Sequence, residues 1–187
     1  KETTDMLEMY REFSENILAI PVLTGVKTES EKFPGAEVTY CFEAMMQDKK
    51  ALQGGTSHYL GQNFAKAFDI DFLNKEGKQE HVYTTSWGVT TRLIGALVMA
   101  HSDDDGVRLP PRIAPKHIVI IPFLTKPELE EKILAYAESV ASELRNLTYH
   151  GFPIVVHIDK RDLRGGEKNW EWIKKGVPLR IEVGPRD

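Results

Sequence analysis

Two short segments carry residue types that could grip a phosphorylated ligand. Gln53-Gly54-Gly55-Thr56-Ser57-His58 joins paired glycines to two hydroxyls and an imidazole. Paired glycines let a backbone approach a ligand closely or take up positive φ. A helix is expected from Tyr59 to about Phe68, and at its mouth the segment would offer free N–H groups to an anion. The same residues also read as a polar turn capped by Thr56 or Ser57, with His58 on the surface. Ser86-Trp87-Gly88-Val89-Thr90-Thr91-Arg92 ends a strand in an aromatic, removes the side chain beside it, and sets Arg92 in the first turn of a helix. A cation there faces the positive end of the helix dipole, and a segment that breaks a local rule is a candidate functional site. Guanidinium can stack on a flat base while pairing with phosphate, which lysine cannot reproduce. A core tryptophan with an ion-paired arginine is the alternative reading. Both segments read as loop-to-helix junctions that could close on one ligand.

The elements that must hold them are legible to different degrees. Thr3 to about Leu18 reads as a helix with Met6, Leu7, Tyr10, Phe13 and Ile17 on one face. Ala19–Leu23, Tyr40–Met45 and His81–Ser86 read as strands, Thr91 to about His101 as a helix, and the polar Asn74–Lys78 around Gly77 as a hairpin tip. Leu109–Pro115 holds three prolines in seven residues, which favours an extended connector and a domain boundary. Beyond it, His117–Pro122 is a strand buried on both faces, and Thr125 caps a helix with Glu128 three residues on. Leu129, Ile133, Ala137, Val140 and Leu144 form that helix's apolar face. Tyr149-His150-Gly151 ends it, and Pro153–Ile158 makes a second strand, giving a βαβ unit with parallel strands. Leu179–Val183 alternates as a third strand. One long helix on three strands is too little for a finished domain, so this part is expected to be truncated.

The totals bound the class. A chain of 187 residues with 41% apolar and 28% charged residues can form one ordinary domain or two small ones. No run approaches the ~20 apolar residues that span a bilayer, and the polar start at Lys1–Asp5 is no targeting peptide. The single cysteine, Cys41, forms no internal disulfide and has no zinc-ligand spacing, so a reducing, cytoplasmic setting is expected with Cys41 in the core. A net charge of −4 neither supports nor excludes RNA binding, because only the contact face need be basic. Asp103-Asp104-Asp105-Gly106 lacks EF-hand spacing and reads as a polar turn, and His101, His117 and His157 show no catalytic pairing.

Longer strings add a family. Lys32-Phe33-Pro34-Gly35-Ala36, Glu43-Ala44-Met45-Met46, Gln53 through Lys66, Ser86 through Arg92, Leu109-Pro110-Pro111-Arg112 and Gly176 through Asp187 together resemble successive blocks of prolyl-tRNA synthetases. The version resembled is the one of eukaryotes, archaea and some bacteria. The resemblance implies an α/β chain: a class II catalytic core of antiparallel sheet with helices over residues 1–113, then a partial α/β anticodon-binding domain over 114–187. It implies ATP-dependent activation of proline and transfer to tRNA(Pro), in a homodimer away from membranes. The alternative is a synthetase-like module that binds tRNA without catalysis.

Position by position, Arg92 resembles the arginine of the third class motif, packing over adenine and holding the triphosphate. Gln53, Thr56 and Thr90 resemble nucleotide contacts, and His58, Ser86, Trp87 and Gly88 resemble the wall around proline. Arg180, Arg186 and Asp187 resemble anticodon contacts. Mg²⁺ would neutralise the phosphates, with no ligand identifiable here and no other metal expected. Ile173, after Glu171-Trp172, stands where the family usually has a glutamate, which removes one expected base contact. The family's first two motifs would lie before Lys1, so these residues alone are expected not to form prolyl-adenylate.

Overall fold

The computed structural model describes residues 1–124 and 126–186. The chain forms two compact units, Lys1–Ala100 and His101–Asp187. In the first unit, in chain order, stand α1 (Glu2–Asn16), β1 (Val22–Val26), β2 (Val38–Met45), β3 (Ala51–Gly61), α2 (Asn63–Phe68), β4 (Asp71–Leu73), β5 (Gln79–His81), β6 (Thr84–Val89) and α3 (Arg92–His101). An antiparallel sheet of order β1-β2-β3-β6 carries α1 on one face.

Helix α1 differs from its sequence reading in the face it buries. Thr3, Tyr10 and Ser14 are buried, whereas Phe13 is exposed. The sheet beneath explains this. Ser57 Oγ donates to the Thr3 carbonyl at 2.8 Å, Thr85 Oγ1 donates to Glu2 at 3.0 Å, and Tyr10 meets the Phe42 ring at 5.8 Å. Small polar residues let the helix axis come close, so the apolar periodicity points to the flank.

The segment Gln53–His58 corrects the expected loop-to-helix junction: it lies inside β3, and the helix begins only at Asn63. Pairing on both sides, with β2 and β6, holds Tyr59 and Leu60 extended and overrides their helical tendency. The paired glycines serve packing. A Cβ on Gly54 would stand against the Phe42 ring, and one on Gly55 would lie 2.7 Å from the Gly88 carbonyl oxygen. The β2–β3 register shifts between Phe42 and Glu43, which leaves Gly54 as the extra residue of a bulge. A second irregularity lies between Tyr59 and Gly61, where β3 meets β6. Asn74–Lys78 does form a hairpin tip, between β4 and β5, with Asn74 Oδ1 accepting the N–H groups of Glu76 and Lys78 at 2.9 Å. The single strand expected over His81–Ser86 is divided between β5 and β6.

The second unit contains β7 (Ile118–Pro122), α4 (Glu130–Arg145), β8 (Thr148–Tyr149), β9 (Phe152–Pro153), β10 (Val156–Ile158), α5 (Gly165–Lys174) and β11 (Leu179–Val183). The order is β10-β7-β11 with both neighbours parallel to β7, as the βαβ pattern implies. All five residues of β7 are buried. Ile133, Ala137 and Ala141 of α4 pack on Ile118, Ile120, Val156 and Ile158, while Trp172 of α5 and Val177 pack on Val119 and Ile121. The helical cap expected at Thr125 lies outside the described residues. Helix α4 ends at Arg145, earlier than expected, and His150 (φ 49°) with Gly151 (φ 82°) turns a small hairpin between β8 and β9. The second strand therefore shortens to Val156–Ile158. Helix α5, absent from the sequence reading, covers the other face.

Asp159 fastens that face. Its fully buried carboxylate accepts from Trp172 Nε1 at 2.8 Å and from Arg161 Nε at 2.8 Å, while its carbonyl accepts from buried Lys168 Nζ at 3.0 Å. The hydrogen bonds from Arg161 hold the carboxyl well below the usual carboxylate range, against the opposing effect of burial. Such a group stabilises the fold fully above its ordinary pKa of about 3.9, and the contribution fades as pH falls toward the depressed value. Asp159→Asn should destabilise the second unit by about 2–3 kcal/mol at neutral pH. In urea unfolding, the gap from wild type should narrow at about pH 3, below the ordinary carboxylate pKa.

Candidate functional site

The face of the sheet opposite α1 assembles the polar residues. Directly paired residues in an antiparallel ladder share a face, so Thr39 with His58, Cys41 with Thr56, Thr56 with Gly88, and His58 with Ser86 all lie together. Bonds between them fix the geometry. His58 Nε2 and Thr56 Oγ1 stand 3.0 Å apart, and His58 Nδ1 and Thr39 Oγ1 also 3.0 Å. Thr39 Oγ1 further accepts the Phe33 backbone N–H at 3.1 Å. The Phe33 ring packs on the imidazole at 4.8 Å between centroids and is itself 44% exposed, so it walls the site while still facing outward.

Trp87 does not share this face. It pairs with Ser57, whose hydroxyl reaches α1, and it is two residues from Thr85, which also bonds α1. Strand alternation therefore puts the indole on the helix side, where it is largely exposed.

Arg92 stands where the sequence places it, as the first residue of α3, and Nη1 donates to the Gln53 carbonyl at 3.2 Å. Thr90 Oγ1 accepts the Arg92 backbone N–H at 3.1 Å and caps the helix entry. The guanidinium is thus tied to the β3 bulge and exposed enough to meet a ligand. Across β2, a groove of about 520 Å³ is lined by Thr24, Cys41, Glu43 and neighbouring residues. Cys41 and Glu43 are the ladder partners of Thr56 and Gln53, so this groove borders the polar cluster. Burial pushes the Cys41 thiol up, keeping it protonated and chemically quiet.

In the second unit Arg180 lies on β11, where Nε donates to Asn169 Oδ1 at 2.8 Å, and Asn169 Nδ2 donates to Glu182 at 3.2 Å. Arg186 is exposed in the turn after β11, and Asp187 lies outside the described residues. Ile173 is on α5, half-buried. The sequence reading missed Phe33, Thr39 and Asn169. Phe33 is an aromatic with no reactive group to mark it, Thr39 is brought to His58 by the pairing of two strands, and Asn169 belongs to the unforeseen α5.

A family profile described as the tRNA synthetase class II core domain (G, H, P, S and T) matches residues 1–101. The chain belongs to this class II tRNA synthetase core family. An anticodon binding domain profile matches residues 117–187. The chain is 67% identical to the proline–tRNA ligase of Protochlamydia amoebophila over 187 residues, all of this chain and 37% of the relative. It is 59% identical to proline–tRNA ligase 2 of Anaeromyxobacter dehalogenans, covering 36% of that protein, and 56% identical to the proline–tRNA ligase of Akkermansia muciniphila, covering 37%. The chain thus spans about 37% of the length of the curated relatives it matches. No helix among the described residues is long and apolar enough to cross a membrane.

Burial lowers the His58 pKa. A histidine with a folded pKa below its ordinary value, about 6.5, binds fewer protons folded than unfolded, so stability rises with pH through that window. In an NMR titration His58 should protonate below the ordinary histidine range. Stability should fall as pH drops through about 6.5, and His58→Gln should reduce that slope in denaturant titrations.

Proposed function

We propose that the protein to which this chain belongs is a proline–tRNA ligase. The observation that carries the reading is one sheet face bearing Thr56, His58, Ser86 and Gly88, with Arg92 fixed at its edge by the Gln53 carbonyl. The high identity to proteins named proline–tRNA ligase supports it.

A carboxylate oxygen of proline attacks the α-phosphorus of ATP, the bond to the bridging oxygen breaks, and pyrophosphate leaves. The terminal ribose hydroxyl of tRNA(Pro) then attacks the mixed anhydride and releases AMP. Such steps need positioning and charge neutralisation more than a strong base. Arg92 suits the adenine and triphosphate, with Gln53, Thr56 and Thr90 around the nucleotide. His58, Ser86 and Gly88 suit the amino acid, and the Phe33 ring offers the apolar surface a small saturated ring requires. Trp87, on the other face, is left out of that wall. Arg180 and Arg186 suit an unstacked RNA base or its phosphate, and Asp187 is kept with them from sequence alone. Mg²⁺ belongs with ATP in this chemistry. Among the described residues no group of three His, Cys, Asp or Glu side chains could hold an ion, so no ligand is assigned to it.

The reading carries with it a cytoplasmic homodimer of the eukaryotic and archaeal-like type. Its domain junction is proposed at 113/114, between the spans matched by the two family profiles. The test is amino-acid-dependent ATP–pyrophosphate exchange by the full-length protein. Exchange should require proline, and Arg92→Lys should lower kcat/KM for ATP roughly 100-fold. Absence of exchange with every amino acid would sink the ligase reading and favour a module that binds tRNA without catalysis.

A further inference from the structure

The hydrogen bonds around His58 can be directed atom by atom. Thr39 is 1% exposed, and its Oγ1 already accepts the Phe33 backbone N–H at 3.1 Å. A hydroxyl carries one proton. Among the described residues the acceptor in reach of that proton is His58 Nδ1, at 3.0 Å. Nδ1 must then present its lone pair, which leaves a neutral imidazole with its proton on Nε2. That N–H donates to Thr56 Oγ1 at 3.0 Å. Thr56, half-buried on the same face, is left with its own O–H unspent and free to donate outward.

We propose that Thr39 is a positioning residue which, through the tautomer of His58, makes Thr56 a hydrogen-bond donor to an anionic substrate oxygen. The inference rests on the ligase reading, which supplies two sources for that oxygen, the carboxylate of proline and a phosphoryl group of ATP. Without Thr39 the imidazole can carry its proton on Nδ1 instead, and Nε2 then accepts from Thr56, whose hydroxyl donates inward and is lost to the ligand. Thr39 touches no substrate itself, lying behind His58.

The test uses the full-length protein with isotope-labelled histidine. In the wild type the His58 ring nitrogens should report Nε2–H with an unprotonated Nδ1, and Thr39→Val should mix or reverse the tautomers. The same variant should lower kcat/KM about tenfold, mainly through the KM of the substrate that Thr56 meets. A rise in the KM for proline assigns the carboxylate, and a rise in the KM for ATP assigns the phosphoryl oxygen. Thr39→Ser, which keeps the hydroxyl, should restore both the spectrum and the kinetics. A wild-type His58 protonated on Nδ1, or a Thr39→Val enzyme with unchanged KM values, overturns the proposal. Absence of proline-dependent exchange in the wild type would instead remove the ligase reading, while the tautomer spectrum still decides the direction of the bonds.

Discussion

The first unit depends on two missing side chains. Because Gly54 and Gly55 carry no Cβ, the Phe42 ring can lie across β3, where it is 1% exposed and meets Tyr10 of α1. The second glycine also admits the Gly88 carbonyl, so the β3–β6 pair closes at the same point. Packing on the helix side therefore occupies the positions where a ligand-binding loop would have its freedom. The opposite side is left with regular strand alternation, and that regularity sets Thr56, His58 and Ser86 in a row. The glycines contribute to the site by fixing the sheet behind it.

Much of this organisation can be read from residue types, and the parts that cannot have physical causes. The buried run Ile118–Ile121 and the helical spacing of Ile133, Ala137 and Ala141 are dense signals, and a strand and a helix form on them, the helix ending early at Arg145. Gln53–His58 misleads because paired glycines with hydroxyls resemble a turn, whereas pairing on both edges holds them as strand. Trp87 shows a different limit. Which face a strand residue takes is settled by register, and register is a property of two strands that one segment does not disclose. Helix α5 opens on two glycines, poor helix formers, and buries the charged Lys168 beside Trp172, so its start carries no cap signal although the helix is amphipathic.

Thr39 and His58 are 19 residues apart, and Asp159 and Trp172 are 13 apart, yet each pair shares a buried or half-buried polar bond. Such bonds are invisible to local pattern and costly to leave unmade. The two units use them differently. Asp159 ties a strand end to a helix and excludes other arrangements of that helix, as a buried ionised group does only when its partners are in place. Thr39 holds a single ring by one proton, and what it governs is orientation rather than adhesion.

The irregularity between Tyr59 and Gly61 has a bearing on the polar face as well. Tyr59 pairs with Thr85 and Gly61 with Thr84, so β3 carries one more residue than β6 across that step, and β6 has no freedom to slide without undoing it. A slip by one position would exchange the parity of the whole strand. An indole would then rise where a hydroxyl and a bare α-carbon now stand, and the polar row would be broken. One inserted residue at the strand's edge thus decides which side chains stand in a row several residues away, as a spacer sets the phase of two combs.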